Sequence, residues 1–244
     1  MDLGIFQETK CTEGIYTRDS DGYRVVATDA PSRHRGGVEL FYRPSPLFAV
    51  EAVRQFGPNV MSFQLETGAR RWYIIRCYLT PDESSTIESV VAALKERPRG
   101  TTLVVAGDLN TALDDPENNW IGMEIAAAIT EAGLEDTKAH LLPRRQRWGR
   151  ERRTWSMVRE GKVVWSRTDY ILGTEQSLIR NVSIRDPRHN TDHFMVVGYL
   201  HSAPAREHAK YLTGRKKLPL QPPTDPMRED GIFAALHRAA PKPL

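Results

Sequence analysis

Four carboxylates, an imidazole, a phenol and an amide stand at or near the ends of apolar runs, where the strands of an α/β protein would gather them. Glu8 closes the stretch IFQET and Tyr78 closes WYIIRCY. In TLVVAGDLN the run Leu103–Ala106 stops at Gly107 and delivers Asp108 and Asn110. Asp169 lies inside VVWSRTDYIL, an otherwise apolar and aromatic strand, and Asp192 and His193 stand together in NTDH before FMVV. Each has a plain structural explanation. Gly-Asp-Leu-Asn suits a simple turn, Glu8 a solvated strand end, Asp169 a pair with Arg167, and Asp192–His193 a second turn.

Together they suit one reaction. Glu8 is a hard oxygen ligand of the kind Mg²⁺ takes beside water and phosphate oxygens, and Asp192 would add a second, water-mediated carboxylate. An acid within an apolar strand needs a partner, because an uncompensated buried charge is strongly destabilising. His193 is a good candidate for Asp169, as a general base held in one tautomer by a buried acid. Asp108 and Asn110 point to the same side if the chain stays extended past Gly107, and would orient a water and a phosphate. A metal ion would polarise the phosphoryl oxygen and stabilise the leaving oxyanion.

Such a set needs strands that end together. LGIFQET, GYRVVAT, GVELFYR, FAVEAV, NVMSFQLE and RRWYIIRCYL all read as strands between Gly, Pro and charged turns. STIESVVAALKER places Ile87, Val90, Val91 and Leu94 at the three-and-four spacing of an amphipathic helix, with Ser84, Ser85 or Thr86 to cap it and Pro98 and Gly100 to end it. After the TLVVAG strand, WIGMEIAAAITEAG predicts a second helix stopping at Gly133. TWSMVR, VVWSRTDYIL, NVSIRD and HFMVVGYL return to strands. The order predicts one domain over residues 1–200, built as two sheets with helices outside.

Composition is that of an ordinary soluble chain, with 40% hydrophobic and 27% charged residues. The start, MDLGIFQETK, has neither the basic residues nor the apolar core of a secretory signal. Cys11 and Cys77 have no metal-site or disulfide-framework spacing. These features predict an intracellular protein without a membrane partner. Residues 201–244 hold eight Lys/Arg and four Asp/Glu, a balance of +4 against +3 for the whole chain. This basic, Pro-rich stretch reads as an extension with two short helices, the second at GIFAALHRAA.

The ordered set QET, a strand-end Tyr, GDLN, TW, SRTDYIL and TDH resembles the endonuclease/exonuclease/phosphatase superfamily, from about Leu3 to Leu200. Within it, GYRVVATDAPSRHRGGVELFYR, ALKERPRGTTLVVAGDLN and TWSMVREGKVVWSRTDYIL are most similar to endonuclease domains of LINE-type (non-LTR) retrotransposons. The tail SAPAREHAKYLTGRKKLPL resembles the connector to a reverse transcriptase, a domain expected in full-length relatives. The resemblance implies a four-layer α/β sandwich of two mostly antiparallel sheets packed face to face. It implies phosphodiester cleavage with Mg²⁺, or Mn²⁺ in its place. Glu8 then matches the metal-ligand glutamate and Tyr78 the tyrosine near the phosphate. Asp108 and Asn110 match the GDxN pair, Asp169 the acid that orients histidine, and Asp192 with His193 the terminal motif.

Two departures matter. The family opens with a strand ending in an Asn that helps position the metal, and this chain begins after that point. The sheet is therefore expected to lack its first strand, leaving a gap beside the strand that carries Glu8 and a marginally stable domain. The tyrosine strand continues YLTPD, with Asp82 where the family has an amide.

The expected substrate is DNA, in the nucleus, nicked on one strand to leave a 3′-hydroxyl that a reverse transcriptase extends. PRRQRWGRERR sets Arg144, Arg145, Arg147, Arg150, Arg152 and Arg153 around Trp148, suited to backbone phosphates and to stacking on a base. Two alternatives remain: a truncated, impaired fragment that binds nucleic acid weakly, and a phosphoesterase of small molecules, which would have no use for such a loop.

Overall fold

The computed structural model describes residues 3–12, 16–68, 70–80, 83–113, 120–138, 153–175, 178–185, 191–201 and 233–237. Seven strands lead off: β1 (Leu3–Gln7), β2 (Tyr16–Ser20), β3 (Tyr23–Ala27), β4 (Val38–Tyr42), β5 (Ala49–Gly57), β6 (Val60–Thr67) and β7 (Arg70–Tyr78). Helix α1 (Ser84–Lys95), β8 (Thr102–Asp108), α2 (Trp120–Glu131) and β9 (Glu135–Asp136) follow. The chain then forms β10 (Trp155–Arg159), β11 (Lys162–Ser166), β12 (Asp169–Gly173), β13 (Ile179–Arg185), β14 (Met195–Leu200) and β15 (Phe233–His237).

Two large sheets result. One has the order β13-β14-β15-β1-β4-β3-β2, the other β5-β6-β7-β8-β12-β9, and β10-β11 forms a separate two-stranded ribbon. All pairs are antiparallel except β1 with β15 and β7 with β8. The period of two explains how the sheets stack. Leu3 and Ile5 of β1, Val38 and Leu40 of β4, Trp72 and Ile74 of β7, and Val104 and Ala106 of β8 share the core between the sheets. The alternate residues Tyr73, Ile75, Cys77, Leu103 and Val105 pack with Ile87, Val90, Ile121 and Ile125 of the helices. Each fully buried Val, Ile or Leu contributes about 1.5–3 kcal/mol. This is the α/β sandwich expected. Both helices lie outside the six-stranded sheet, and no helix among the described residues is long and apolar enough to cross a membrane.

Four expectations change. β15 lies in the seven-stranded sheet between β14 and β1, so the slot beside β1 is paired on both sides and not an open gap. Part of the GIFAALHRAA segment is therefore strand, not helix, because pairing with two backbone edges overrides the local helix propensity of its Ala and Leu residues. VVWSRTDYIL is two strands: β11 pairs in the ribbon, β12 in the six-stranded sheet, and Asp169 opens β12. Helix α1 is flanked by Glu83 with no side-chain cap, because Thr86 turns inward and shares a hydrogen bond of 3.2 Å with the Thr80 hydroxyl.

A polar strand, YTRDS, also pairs at the sheet edge as β2, where the sequence lacks a hydrophobic alternation to announce it.

Candidate active site

Register builds the floor of the site. Tyr78 pairs with Asp108 across the parallel β7–β8 ladder, and Asp108 with Asp169 across the antiparallel β8–β12 ladder. Three strand ends thus set a phenol and two carboxylates in one row. Gly107 makes the row feasible: a Cβ there would lie 1.8 Å from the Cys77 carbonyl oxygen. Its φ of +150° is also one that L side chains rarely adopt.

Asp108 is 1% and Asp169 2% exposed. Like charges directly opposite each other are destabilising, so positive charge must come to this row. His193 supplies it. Its Nδ1 lies 3.0 Å from Asp169 Oδ2, and its Nε2 lies 4.0 Å from Asp108 Oδ2. Burial lowers the imidazole pKa, but the hydrogen bond to Asp169 and the charges of Asp169, Asp108 and Asp192 outweigh it, so the net shift is upward. The alternative of an Asp169–Arg167 pair is not what forms, since Arg167 makes a two-pronged contact with Asp136 at 2.5 and 2.7 Å.

The backbone around this dyad is clamped. Thr154, fully buried, accepts hydrogen bonds from the backbone N–H of both Thr168 and Asp169 at 2.9 Å, and Thr168 Oγ1 donates to Asp169 Oδ2 at 3.1 Å. Trp155 bridges to His193 in the backbone, and Phe194 N–H donates to the Thr154 carbonyl at 2.7 Å. Trp155 Nε1 donates to Asp192 at 3.0 Å. Thr154 and Trp155 appear in the sequence only as the dipeptide TW; nothing there signals that one holds Asp169 and the other Asp192.

Asn110 departs from the extended geometry expected of it. Its φ of +47° is left-handed. Its backbone N–H donates to Asp108 Oδ1 at 2.9 Å, and its side-chain amide donates to the Leu79 carbonyl at 2.6 Å. The GDLN segment is therefore both a turn and part of the site. Glu8 also has a left-handed φ, +51°, which breaks the alternation of β1. Its Oε1 accepts the Tyr78 hydroxyl and its Oε2 lies 3.7 Å from Lys10 Nζ. Burial, then the hydrogen bond and charge of Glu8, push the Tyr78 phenol well above its ordinary pKa, so it stays a donor. Burial pushes the Cys77 thiol up to about 12, which leaves it inert.

Seven residues singled out in the sequence thus occupy one edge. Arg144, Arg145, Arg147, Trp148, Arg150 and Arg152 lie outside the described residues, as does Asp82. Arg153 is described and stacks 5.9 Å from the centre of the Trp165 ring. That ring belongs to the ribbon, whose Met157, Val158, Val163, Val164 and Trp165 are exposed.

Among the described residues, Asp108, Asp169 and His193 form a group whose ligand atoms lie within 4.8 Å of one another. Glu8 and Asp192 are outside that group and are engaged by Tyr78 and Trp155 respectively. The donor set is carboxylate oxygen with a single imidazole, and a buried pair of acids needs countercharge. Both facts fit a hard divalent cation.

The strand ends of a two-sheet sandwich thus converge on an acid–histidine dyad and adjacent carboxylates. The chain belongs to the endonuclease/exonuclease/phosphatase family, whose sequence model matches residues 1–193. Members are hydrolytic nucleases and phosphatases that use divalent metals. The fold is similar to the endonuclease domain of TRAS1, a telomere-specific non-LTR retrotransposon. That match has 18% identity and a TM-score of 0.58, covering 83% of this chain and 100% of the domain. It is also similar to an endonuclease/exonuclease/phosphatase family protein from Leptotrichia buccalis C-1013-b. Here identity is 14% and the TM-score 0.55, over 82% of this chain and 88% of that one. No curated protein matches the chain.

Proposed function

We propose that this protein is a Mg²⁺-dependent DNA endonuclease that nicks one strand and leaves a 3′-hydroxyl. The observation that carries the proposal is the Asp169–His193 dyad directed at Asp108. With Nδ1 facing Asp169, the neutral imidazole presents the lone pair of Nε2 toward Asp108. A water bonded to both Nε2 and Asp108 Oδ2 would lose its proton to His193 as it attacks phosphorus. The P–O3′ bond then breaks and the 3′ oxygen leaves, taking up a proton to become the hydroxyl. Asp169 holds the tautomer and stabilises the imidazolium. Tyr78, kept protonated, and the Asn110 amide would orient the phosphate. Glu8 and Asp108 would hold the cation, with Asp192 reaching it through water. When bound, that cation supplies charge stabilisation at the phosphoryl and leaving oxygens.

DNA is favoured over a small phosphoester by the exposed apolar ribbon beside the dyad and by the arginines that precede it. A two-stranded ribbon fits a DNA groove, and arginines neutralise phosphates. The likeness of fold to a retrotransposon endonuclease domain favours the same class of substrate, and a chromosomal DNA substrate implies a nuclear location. The test is conversion of supercoiled plasmid to the open circle with Mg²⁺, with Mn²⁺ and with chelator, followed by primer extension from the nick. Nicks that a polymerase extends without prior end-processing are expected. Hydrolysis of small phosphoesters with plasmid left intact would overturn the proposal.

A further inference from the structure

The ion pair beside Glu8 differs from an ordinary surface contact. Lys10 Nζ lies 3.7 Å from Glu8 Oε2, while Glu8 Oε1 accepts the Tyr78 hydroxyl, so both carboxylate oxygens are engaged. The Lys10 and Glu8 side chains are mostly buried, 24% and 28% exposed respectively. Lys10 also has a left-handed backbone, with φ of +56°, two residues after Glu8 at +51°. Such backbone is uncommon outside glycine and persists where its surroundings enforce it.

Here they do. The Lys10 N–H donates to the Gly36 carbonyl at 2.9 Å, and the Ala30 N–H donates to the Cys11 carbonyl at 2.7 Å. Gly37 lies against the same turn, where a Cβ would come 2.8 Å from Thr9 Oγ1, and its N–H donates to Asn59 Oδ1 at 3.0 Å. Asn59 is buried and donates in turn to Thr80 Oγ1 at 3.0 Å, just past Tyr78. The turn that carries Lys10 is thereby tied to the strand end that carries Tyr78. Its four-carbon stem is the part left to change partner, and an ammonium on such a stem re-aims without backbone movement.

We infer that Lys10 competes with the cation for Glu8 and passes to the substrate phosphate once the cation holds that carboxylate. This rests on the reading of Glu8 as a cation ligand at a phosphate-binding edge. A divalent cation on Glu8 Oε2 and an ammonium at its present distance from that oxygen repel each other. The ammonium must then give way, and the anion nearest to receive it is the phosphate drawn to the cation. Lys10 is a binding residue in this sense and takes no part in proton transfer.

The experiment uses the full chain with Lys10→Met and Lys10→Arg at constant ionic strength. The first readout is the rise in melting temperature on adding Mg²⁺ or Mn²⁺ without DNA. The second is the further rise on adding inorganic phosphate at saturating metal. Lys10→Met keeps the stem and loses the charge, so it should need about two- to five-fold less metal for the same rise, the worth of a screened ion pair. Lys10→Arg, whose fork can grip a carboxylate with two N–H groups, should need more metal than the wild type. With phosphate the order reverses. Lys10→Met should need about tenfold more, as for a lost hydrogen bond to a charged group, and Lys10→Arg should recover most of that loss. A lysine that merely propped Glu8 would give the opposite sign with metal. Lys10→Met needing as much metal as the wild type or more, or binding phosphate as well as the wild type, overturns the inference. If the wild type leaves plasmid intact while both shifts hold, the nuclease reading fails and the inference stands.

Discussion

Two buried polar regions lie a few residues apart on the same strands, and they are treated in opposite ways. At the strand ends, Asp169 is held by His193 and Thr168, Asp108 by the Asn110 backbone, and Tyr78 by Glu8. Two residues earlier on β7, Arg76 is fully buried, and none of its three guanidinium nitrogens has a hydrogen-bond partner. Desolvation pulls its pKa well below the ordinary value. Its face is that of Trp72, Ile74 and Tyr78, the inner face of the sandwich. Most buried polar groups in folded proteins are paired. A paired group at a strand end can hold reacting atoms; the guanidinium below it makes no hydrogen bond and has the nearby Glu39 charge set against its desolvation. Buried polarity alone therefore does not mark the candidate site; the mutual pairing of polar groups from different strand ends does.

The largest effect should come from breaking the satisfied region at its reacting group. His193→Ala should slow nicking by about 10²–10⁴-fold, equivalent to about 3–5 kcal/mol of barrier. Asp169→Asn should act in the same direction while leaving metal binding largely intact. Single-turnover nicking of supercoiled plasmid measures both, and wild-type rates would remove the dyad from the mechanism.

Creating an orphan should cost stability. Thr154→Val keeps shape but deprives the N–H groups of Thr168 and Asp169 of their acceptor. A loss of about 1–3 kcal/mol per group is expected by denaturant titration. Removing an orphan should do the reverse. Arg76→Met, combined with Glu39→Gln because the Glu39 charge favours the guanidinium, replaces a buried group that makes no hydrogen bond with an apolar chain of similar length, and a gain of about 1–3 kcal/mol is expected in the same titration. A loss on the combined change would mean that the guanidinium has a further stabilising partner and that the contrast is false.

pH dependence sharpens the comparison further. The His193 pKa is raised in the folded protein above its ordinary 6.5. Its stabilising contribution is thus fully present below 6.5 and is lost as pH rises through the raised value. Activity, which requires the neutral imidazole, should run the other way and climb over that range. Asp169→Asn should shift the climbing limb of the kcat/KM profile to lower pH, and an unmoved limb would detach it from this imidazole. The smallest effect on chemistry should come from replacing the six arginines between Arg144 and Arg153 with Ser. For every phosphate left without its arginine, the log–log salt slope of duplex binding should flatten by about 0.9, with turnover of a small phosphodiester little changed. A binding titration that returns the wild-type slope would make this segment a solvated surface.

Much of this protein is written in local pattern. Apolar alternation marks β1, β3, β4, β6 and β7, and the three-and-four spacing of Ile87, Val90 and Leu94 marks α1, because burying one face of an element constrains each residue directly. The seven candidate residues gathered at that edge are legible for a related reason: polar side chains that close apolar runs have few uses other than chemistry or turns. What the tertiary structure alone decided is which ends meet. The row Tyr78–Asp108–Asp169 depends on register between strands distant in sequence. The left-handed turns at Glu8 and Asn110 depend on the partners they face, and Thr154 and Trp155 act only through residues brought to them by folding. Most of all, placing Phe233–His237 between β1 and β14 needs two open backbone edges to be present at once. No window of the sequence contains them, since hydrogen bonding across a sheet is satisfied by position in space and carries no signature in the segment that supplies it.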